Sequence, residues 1–145
     1  MMIEDLVDNI TLFLKDGAAS AIPRPCSEDE ISKAETAFSA EFHHVFPEAY
    51  KRVLRRANGL AHNGLIIWPA APESLFQETI LQANTDQREN FSDDFIYYGQ
   101  IDEELYVFDI NTEKYFAIEY VGKSVWKKFE SAEEMFEFML KRALE

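Results

Sequence analysis

The first residues have an apolar pattern with the period of a helix. Five apolar residues follow the i, i+3, i+4, i+7 spacing of an amphipathic helix: Ile3, Leu6, Val7, Ile10 and Leu14. The pattern predicts a helix over residues 3–15, and Gly17 is placed to end it. Residues 18–25, AASAIPRP, are expected to form an extended connector, because Pro23 and Pro25 restrict the residues before them to extended geometry.

A second helix is predicted by its capping residues. Ser27 and Glu30 have the spacing of a capping box, in which each side chain accepts a hydrogen bond from the other residue's backbone N–H. The box begins a helix that runs to about residue 40, with one apolar face made by Ile31, Ala34 and Phe38. The segment EFHHVF, residues 41–46, interrupts it.

A third helix is predicted from Pro47, which suits a first helical turn because proline has no N–H to lose there. Its buried face is formed by Tyr50, Val53, Leu54 and Ala57. Asn58 and Gly59 end it, since both tolerate the left-handed conformation. Its remaining surface is basic, with Lys51, Arg52, Arg55 and Arg56. These four residues are expected to be solvated, to stabilise the helix dipole or to pair with acids elsewhere in the fold.

The pattern changes to short β-rich runs after residue 60. Residues 64–69, GLIIWP, predict a strand closed by Pro69. Residues 73–90 are ambiguous: Leu75, Phe76, Thr79, Ile80 and Ala83 fit a helix, and DQREN at 86–90 is expected to be a loop.

Three more β-rich runs lie at residues 95–99, 104–110 and 114–121, and the last two form a hairpin around residues 111–113. Residues 124–129 can add a strand. Ser131 and Glu134 make a second capping box, which begins a terminal helix carrying Met135, Phe138, Met139 and Arg142. The order predicts a single α+β domain over residues 1–145, with N-terminal helices, a mostly antiparallel β-sheet and a closing C-terminal helix.

Charge narrows the choice of partner. The chain has 14 basic and 27 acidic residues, a net charge of −13. Residues 1–72 hold ten acidic and seven basic residues, a net of −3, whereas residues 73–145 hold seventeen acidic and seven basic residues, a net of −10. Such a surface repels nucleic acid and anionic membranes and attracts a basic protein, although acidity also serves solubility alone.

The cysteine count and the apolar runs bear on location. Cys26 is the only cysteine, which rules out an internal disulfide and fits a reducing compartment. The first residues, MMIEDLVDNITLFL, carry acids where a secretory signal needs bases, and no apolar run approaches the roughly 20 residues of a membrane span. A cytoplasmic location is therefore expected.

Two motifs in the helical half resemble the SUKH superfamily. Its capped helix of the type S-x-x-E-I-x-x-A-E is matched by Ser27, Glu30, Ile31, Ala34 and Glu35. Its Pro-x-x-Tyr helix, which ends at Asn-Gly, is matched by Pro47, Tyr50, Leu54, Asn58 and Gly59. Residues 97–119 resemble the family's sheet region and residues 131–140 its closing helix. The resemblance covers roughly residues 20–140.

The resemblance implies a mainly antiparallel sheet packed by helices, with no known catalysis and no cofactor. Many bacterial members of the family are similar to immunity proteins, which bind and neutralise a cognate polymorphic toxin that is often a nuclease. Fungal members act as scaffolds in cell-wall signalling. The resemblance therefore favours a protein-binding domain, first as an immunity protein and second as a regulatory scaffold.

Residues that could carry other chemistry give weak signals. His43 and His44 are adjacent, so on a helix they point to different faces, and a polar loop is expected rather than a metal site. Cys26 precedes a helix N-terminus, where a thiol pKa can fall, but a small, partly buried side chain is the expected role. The carboxylates are too many to mark a catalytic pair. No catalytic, metal-binding or cofactor-binding residue is predicted, and a small enzyme is the least favoured alternative.

The candidate binding site is the acidic sequence around FIYYGQI. It comprises Asp93, Asp94, Tyr97, Tyr98, Asp102, Glu103 and Glu104. Aromatic anchors among charges are typical of protein interfaces, whereas in the alternative interpretation the aromatic side chains point inward and the acids line two turns. We expect this surface to cover the basic, nucleic-acid-binding cleft of a toxin by mimicking phosphate charge. The oligomeric state is left open.

Overall fold

The computed structural model describes residues 2–17 and 22–145, and in these residues five helices pack against one six-stranded sheet. The helices are α1 (Ile3–Gly17), α2 (Glu28–Phe42), α3 (Glu48–Arg56), α4 (Ile80–Asn90) and α5 (Ala132–Ala143). The strands are β1 (Leu60–His62), β2 (Leu65–Ile67), β3 (Phe95–Ile101), β4 (Glu104–Asp109), β5 (Lys114–Glu119) and β6 (Val125–Phe129). The predicted α+β class, with helices first and a closing helix, is confirmed.

The sheet is an antiparallel meander, because each strand pairs with the strand that follows it in sequence. Asn63 and Gly64 both have positive φ in the turn between β1 and β2, as a two-residue hairpin turn requires. The predicted hairpin around residues 111–113 and the strand β6 are also confirmed. Strand β1 was not predicted, although the Asn-Gly pair is its signal.

The first three helices begin and end close to their predicted positions. Ser27 and Glu30 make both hydrogen bonds of the capping box at α2. That helix runs two residues further than predicted and ends at His43, which adopts the left-handed conformation. Residues 18–21 of the predicted connector lie outside the described residues.

Asn58 joins the end of α3 to two neighbouring segments. It is fully buried, and its side-chain oxygen accepts hydrogen bonds from the N–H groups of Ala70 and Ala71 at 2.9 and 3.2 Å. Its amide donates to the Ala71 carbonyl at 2.9 Å, and the Cys26 thiol donates to its oxygen. A buried amide with every polar atom bonded stabilises the fold, whereas an unbonded one would cost about 1–3 kcal/mol per group.

Helix α4 corrects the prediction for residues 86–90. The helix continues through DQREN to Asn90, and a capping box formed by Thr79 and Gln82 sets its start later than the apolar pattern suggested. Asn84 is buried, and beyond the end of β2 its side chain makes the hydrogen bonds to β3 that a neighbouring strand would otherwise make. It accepts a hydrogen bond from the Tyr97 N–H at 2.7 Å and donates to the Tyr97 carbonyl at 2.8 Å.

The main core lies between the sheet and the packed helices α1, α3 and α5. Tyr50, Tyr98 and Phe136 form its centre, with ring centroids 5.6–5.9 Å apart. Each large aromatic side chain buried here contributes about 2–3 kcal/mol. No helix within residues 2–17 and 22–145 is both long and apolar enough to span a membrane.

Candidate functional site

The two tyrosines of the predicted binding site lie inside the fold, which corrects that part of the prediction. Tyr97 and Tyr98 are both fully buried. The Tyr97 hydroxyl donates to the Ser92 carbonyl at 2.6 Å, and the Tyr98 hydroxyl is hydrogen-bonded to Nε2 of His44. Strand β3 is covered on both faces, so its aromatic residues alternate between two buried environments.

The predicted acidic residues form two separate groups. Asp93 and Asp94 precede β3, whereas Asp102 and Glu103 form the turn at its other end. Eight residues of extended chain separate Asp94 from Asp102, which is roughly 25 Å. The Asp94 carboxylate also accepts hydrogen bonds from Asn111 and Ser92, so it stabilises its own loop. The two groups are therefore too far apart to be neighbours in one small contact surface, and the candidate surface lies at one end of the sheet only, around Asp102 and Glu103.

The β3–β4 turn borders a cleft of about 620 Å³. Its lining consists of Asp102, Glu103, Glu104, Glu119, Val121 and Arg142. Asp102 has a φ of 52°, and its carbonyl accepts a hydrogen bond from the Gln100 side chain at 2.8 Å, which fixes the turn. The carboxylates of Asp102 and Glu103 are exposed and form no ion pair within the described residues.

Glu104 differs from its two neighbours, because its charge is already neutralised. Its carboxylate binds the guanidinium of Arg142 on α5. The same guanidinium donates to the Tyr106 hydroxyl at 3.0 Å and lies 5.6 Å from the centroid of the Trp126 ring. Arg142 therefore joins the cleft to an exposed aromatic side chain on β6, and Glu104 serves this internal contact rather than a partner.

Three residues of this surface were not predicted from the sequence: Glu119, Val121 and Trp126. Glu119 pairs directly with Glu104 across the β4–β5 ladder and accepts a hydrogen bond from the Ser124 hydroxyl at 3.2 Å. The predicted hairpin already implied this register, so Glu119 could have been found. Val121 and Trp126 are exposed apolar side chains beside the cleft. The arrangement places an acidic cleft next to apolar anchors, which is the composition of a protein interface.

The histidines and the cysteine have structural environments. His44 lies under the rings of Phe38 and Phe108, and burial lowers its pKa to about 4. Burial also raises the pKa of the Cys26 thiol to about 11, which is opposite to the activation a nucleophile needs. Across residues 2–17 and 22–145, no group of three or more His, Cys, Asp and Glu side chains is arranged to hold a metal ion.

The basic cluster on α3 pairs within the fold, which was one of the expected outcomes. Lys51 binds Glu35, Arg52 binds Glu4 and Glu133, Arg55 binds Glu28 and Glu48, and Arg56 binds Asp8. The hydrogen bonds from Arg52 lower the pKa of Glu4 to about 2. These cations join α3 to α1, α2 and α5.

Comparison with known proteins adds no relative to this picture. No protein-family model matches the chain, and no curated protein matches it either. The resemblance to the SUKH superfamily therefore rests on the motifs around Ser27, Pro47 and Asn58. Each of these residues has a structural role in the fold, as a helix cap or as a buried hydrogen-bonding centre.

Proposed function

We propose that this chain is a non-catalytic, cytoplasmic protein-binding domain that neutralises a basic toxin domain by covering its nucleic-acid-binding cleft. The observation that carries the proposal is the cleft at the β3–β4 turn. Asp102, Glu103 and Glu119 place three carboxylates around it that have no cationic partner in the described residues. These carboxylates are solvated in the free protein, and cations of another protein that approach them would form favourable electrostatic contacts.

Two kinds of contact support a tight complex. The net charge of −13 speeds encounter with a basic surface, and this steering weakens as salt screens it. Val121 and Trp126 supply apolar contact area beside the carboxylates, which slows dissociation. Arg142 stacks on Trp126, so the ring is oriented before a partner arrives and little side-chain entropy is lost on binding.

The non-catalytic part of the proposal is supported by His44 and Cys26, whereas burial and the neighbouring Asp86 carboxylate raise the pKa of Glu78 to about 7, in the direction a general acid or base would need. His44 and Cys26 have the wrong direction of shift, or too little access, for acid–base or nucleophilic work. Their neighbours, Tyr98 and Asn58, bind them into the core. The immunity role itself comes from the resemblance to the SUKH superfamily.

The proposal is tested by co-expressing the chain with toxin domains encoded beside its gene. The triple variant Asp102→Lys, Glu103→Lys, Glu119→Lys reverses the cleft charge. We expect it to lose protection of the host cell completely, because the cleft would repel a basic surface.

The matched control is Asp16→Lys, Glu41→Lys, Glu89→Lys, which changes the net charge equally at exposed acids outside the cleft. It should protect the cell as the unaltered chain does. Equal protection by both triple variants would contradict the proposed surface. Equal loss by both would mean that net charge matters and the cleft does not.

A further inference from the structure

Strand β6 forms one edge of the sheet. It pairs with β5 on one side, and no strand in the described part of the chain pairs with the other. Alternate peptide groups of an edge strand point outward, so their N–H and C=O groups can bind a further strand. The edge is short but solvent-accessible, since Val125, Trp126 and Lys128 are all exposed.

The surface around this edge is unusually apolar for an exposed hairpin. Four large apolar side chains within seven residues are between 40% and 68% exposed: Tyr120, Val121, Val125 and Trp126. A concentration of this kind marks an interaction surface more often than scattered single residues do. Trp126 and Val125 lie on the edge strand itself, so an added strand would cover part of both side chains.

The edge is also positively charged, in contrast to the chain as a whole. Lys123, Lys127 and Lys128 lie on or beside β6, and Lys114 lies next to Lys128. None of the four forms an ion pair with a carboxylate in residues 2–17 or 22–145. The ammonium of Lys128 lowers the pKa of Lys114, and the carboxylate of Glu130 acts in the opposite direction. Lys123 and Lys127 lie against aromatic rings within the fold, so Lys114 and Lys128 are the cations that face outward at this edge.

We propose that the outer edge of β6 accepts an extended, carboxylate-bearing segment of another protein as a seventh strand. Main-chain hydrogen bonds would hold the segment, and its carboxylates would lie on the face of the strand that carries Lys128, near Lys114. Its apolar side chains, on the opposite face, would cover Trp126, which packs against Phe138 of α5. This binding site uses the opposite charge from the acidic cleft and shares Trp126 with the surface of the proposed function, but its peptide test does not depend on a toxin.

A second copy of this chain is a poorer occupant of the same edge. Antiparallel pairing of two β6 strands would bring the lysines of one copy against those of the other, and like charges on facing strands are destabilising. Lysines on edge strands commonly prevent such self-pairing. On β6 the lysines therefore disfavour pairing with a second copy of β6 and favour pairing with an acidic strand.

The test uses a nine-residue peptide of alternating valine and glutamate, with blocked ends, and the same peptide with lysine in place of glutamate. Binding is measured by NMR from the amide shifts of residues 125–129 and the indole of Trp126. We expect the glutamate peptide to shift these signals and to bind about tenfold more tightly than the lysine peptide, since two or three lysine–carboxylate contacts distinguish them. Added salt should reduce the difference.

Two double variants control for net charge. Lys114→Glu, Lys128→Glu should reverse the preference between the peptides, whereas Lys15→Glu, Lys141→Glu should leave it unchanged, because these two exposed lysines lie on α1 and α5. The proposal is overturned if neither peptide shifts the β6 amides at millimolar concentration, or if both bind equally. A dimer in sedimentation equilibrium that dissociates on Trp126→Ala would also overturn it, in favour of a second copy.

Discussion

The basic face of α3 and the end of the sheet at β3–β6 both look like charge clusters in the sequence, but the fold treats them differently. On α3, Lys51 binds Glu35 at 3.0 Å and Arg52 binds Glu4 at 2.6 Å. At the sheet end, the carboxylates of Asp102 and Glu103 have no ion pair among the described residues. Charges of the first kind hold helices together, and charges of the second kind are those that we propose for contact with a partner.

The same difference extends to buried polar groups. Beneath the α3 region, Asn58 bonds to three neighbouring residues and leaves no polar atom of its side chain unmatched. At the cleft, Arg142 and Glu104 make the one ion pair among the residues that line it, and this pair neutralises only one of four carboxylates. Polar groups near α3 should therefore matter for stability, and those at the cleft for binding.

The largest expected effect on stability is that of Asn58→Ala. The substitution leaves the buried N–H of Ala70 and the carbonyl of Ala71 without partners, which should lower the free energy of unfolding by about 3 kcal/mol. Urea denaturation measures the loss. Asn111→Ala, which removes an exposed amide bonded to Asp94, should cost less than about 0.5 kcal/mol. Similar losses of unfolding free energy in Asn58→Ala and Asn111→Ala would contradict the difference drawn between buried and exposed polar groups.

The second effect is a pH dependence set by His44. Burial lowers its pKa from 6.5 to about 4, so the unfolded chain takes up the proton first as the pH falls. The stability that His44 contributes above pH 6.5 should therefore decline by about 2 kcal/mol between pH 6.5 and pH 4. The raised pKa of Glu78 acts in the opposite direction over this range, so the His44 slope is measured as the difference between the parent and a variant at position 44. In the variant His44→Gln this slope should vanish, whereas His43→Asn, at an exposed position, should retain it. An unchanged slope in His44→Gln would contradict the buried environment of the ring.

The third effect concerns the ion pairs of α3. Arg52→Met keeps the apolar stem of the side chain but removes its contacts with Glu4 and Glu133. We expect a loss of about 1.5 kcal/mol, because Arg52 and Glu4 are partly buried and make two hydrogen bonds. Thermal denaturation at low and high salt checks it, and the difference between variant and parent should shrink at high salt.

The smallest effect is expected at the cleft. Asp102→Asn, Glu103→Gln, Glu119→Gln removes three negative charges that have no cation beside them. Stability should change by less than about 0.5 kcal/mol, and in the stabilising direction, because repulsion among the carboxylates is relieved. Asn also suits the left-handed backbone at position 102. A loss greater than about 1 kcal/mol would mean that these carboxylates hold the fold.

Local signals predicted most of the elements. The capping box at Ser27, the apolar face of α3 and the hairpin around residues 111–113 each depend on residues close in sequence, and all are confirmed. The same kind of signal was overlooked at Thr79 and at Asn63. The true start of α4 follows from the first, and the hairpin of β1 and β2 from the second.

The candidate site was harder to predict because it depends on contacts between distant residues. Tyr98 is buried by His44, 54 residues away, and Glu104 is neutralised by Arg142, 38 residues away. No periodicity within β3 or β4 reveals either contact. Glu119 was accessible in principle, since the hairpin register places it opposite Glu104. The exposure of Trp126 depends on how α5 packs against the sheet.

The most direct measurement is the affinity of the purified chain for the toxin domain encoded beside its gene, by isothermal titration calorimetry at two salt concentrations. With Asp102, Glu103 and Glu119 changed to lysine, the dissociation constant should rise at least about 100-fold at low salt, which corresponds to about 3 kcal/mol over three contacts. The control with Asp16, Glu41 and Glu89 changed to lysine should stay within about threefold of the parent. Equal affinities for the parent and the cleft variant would contradict the account.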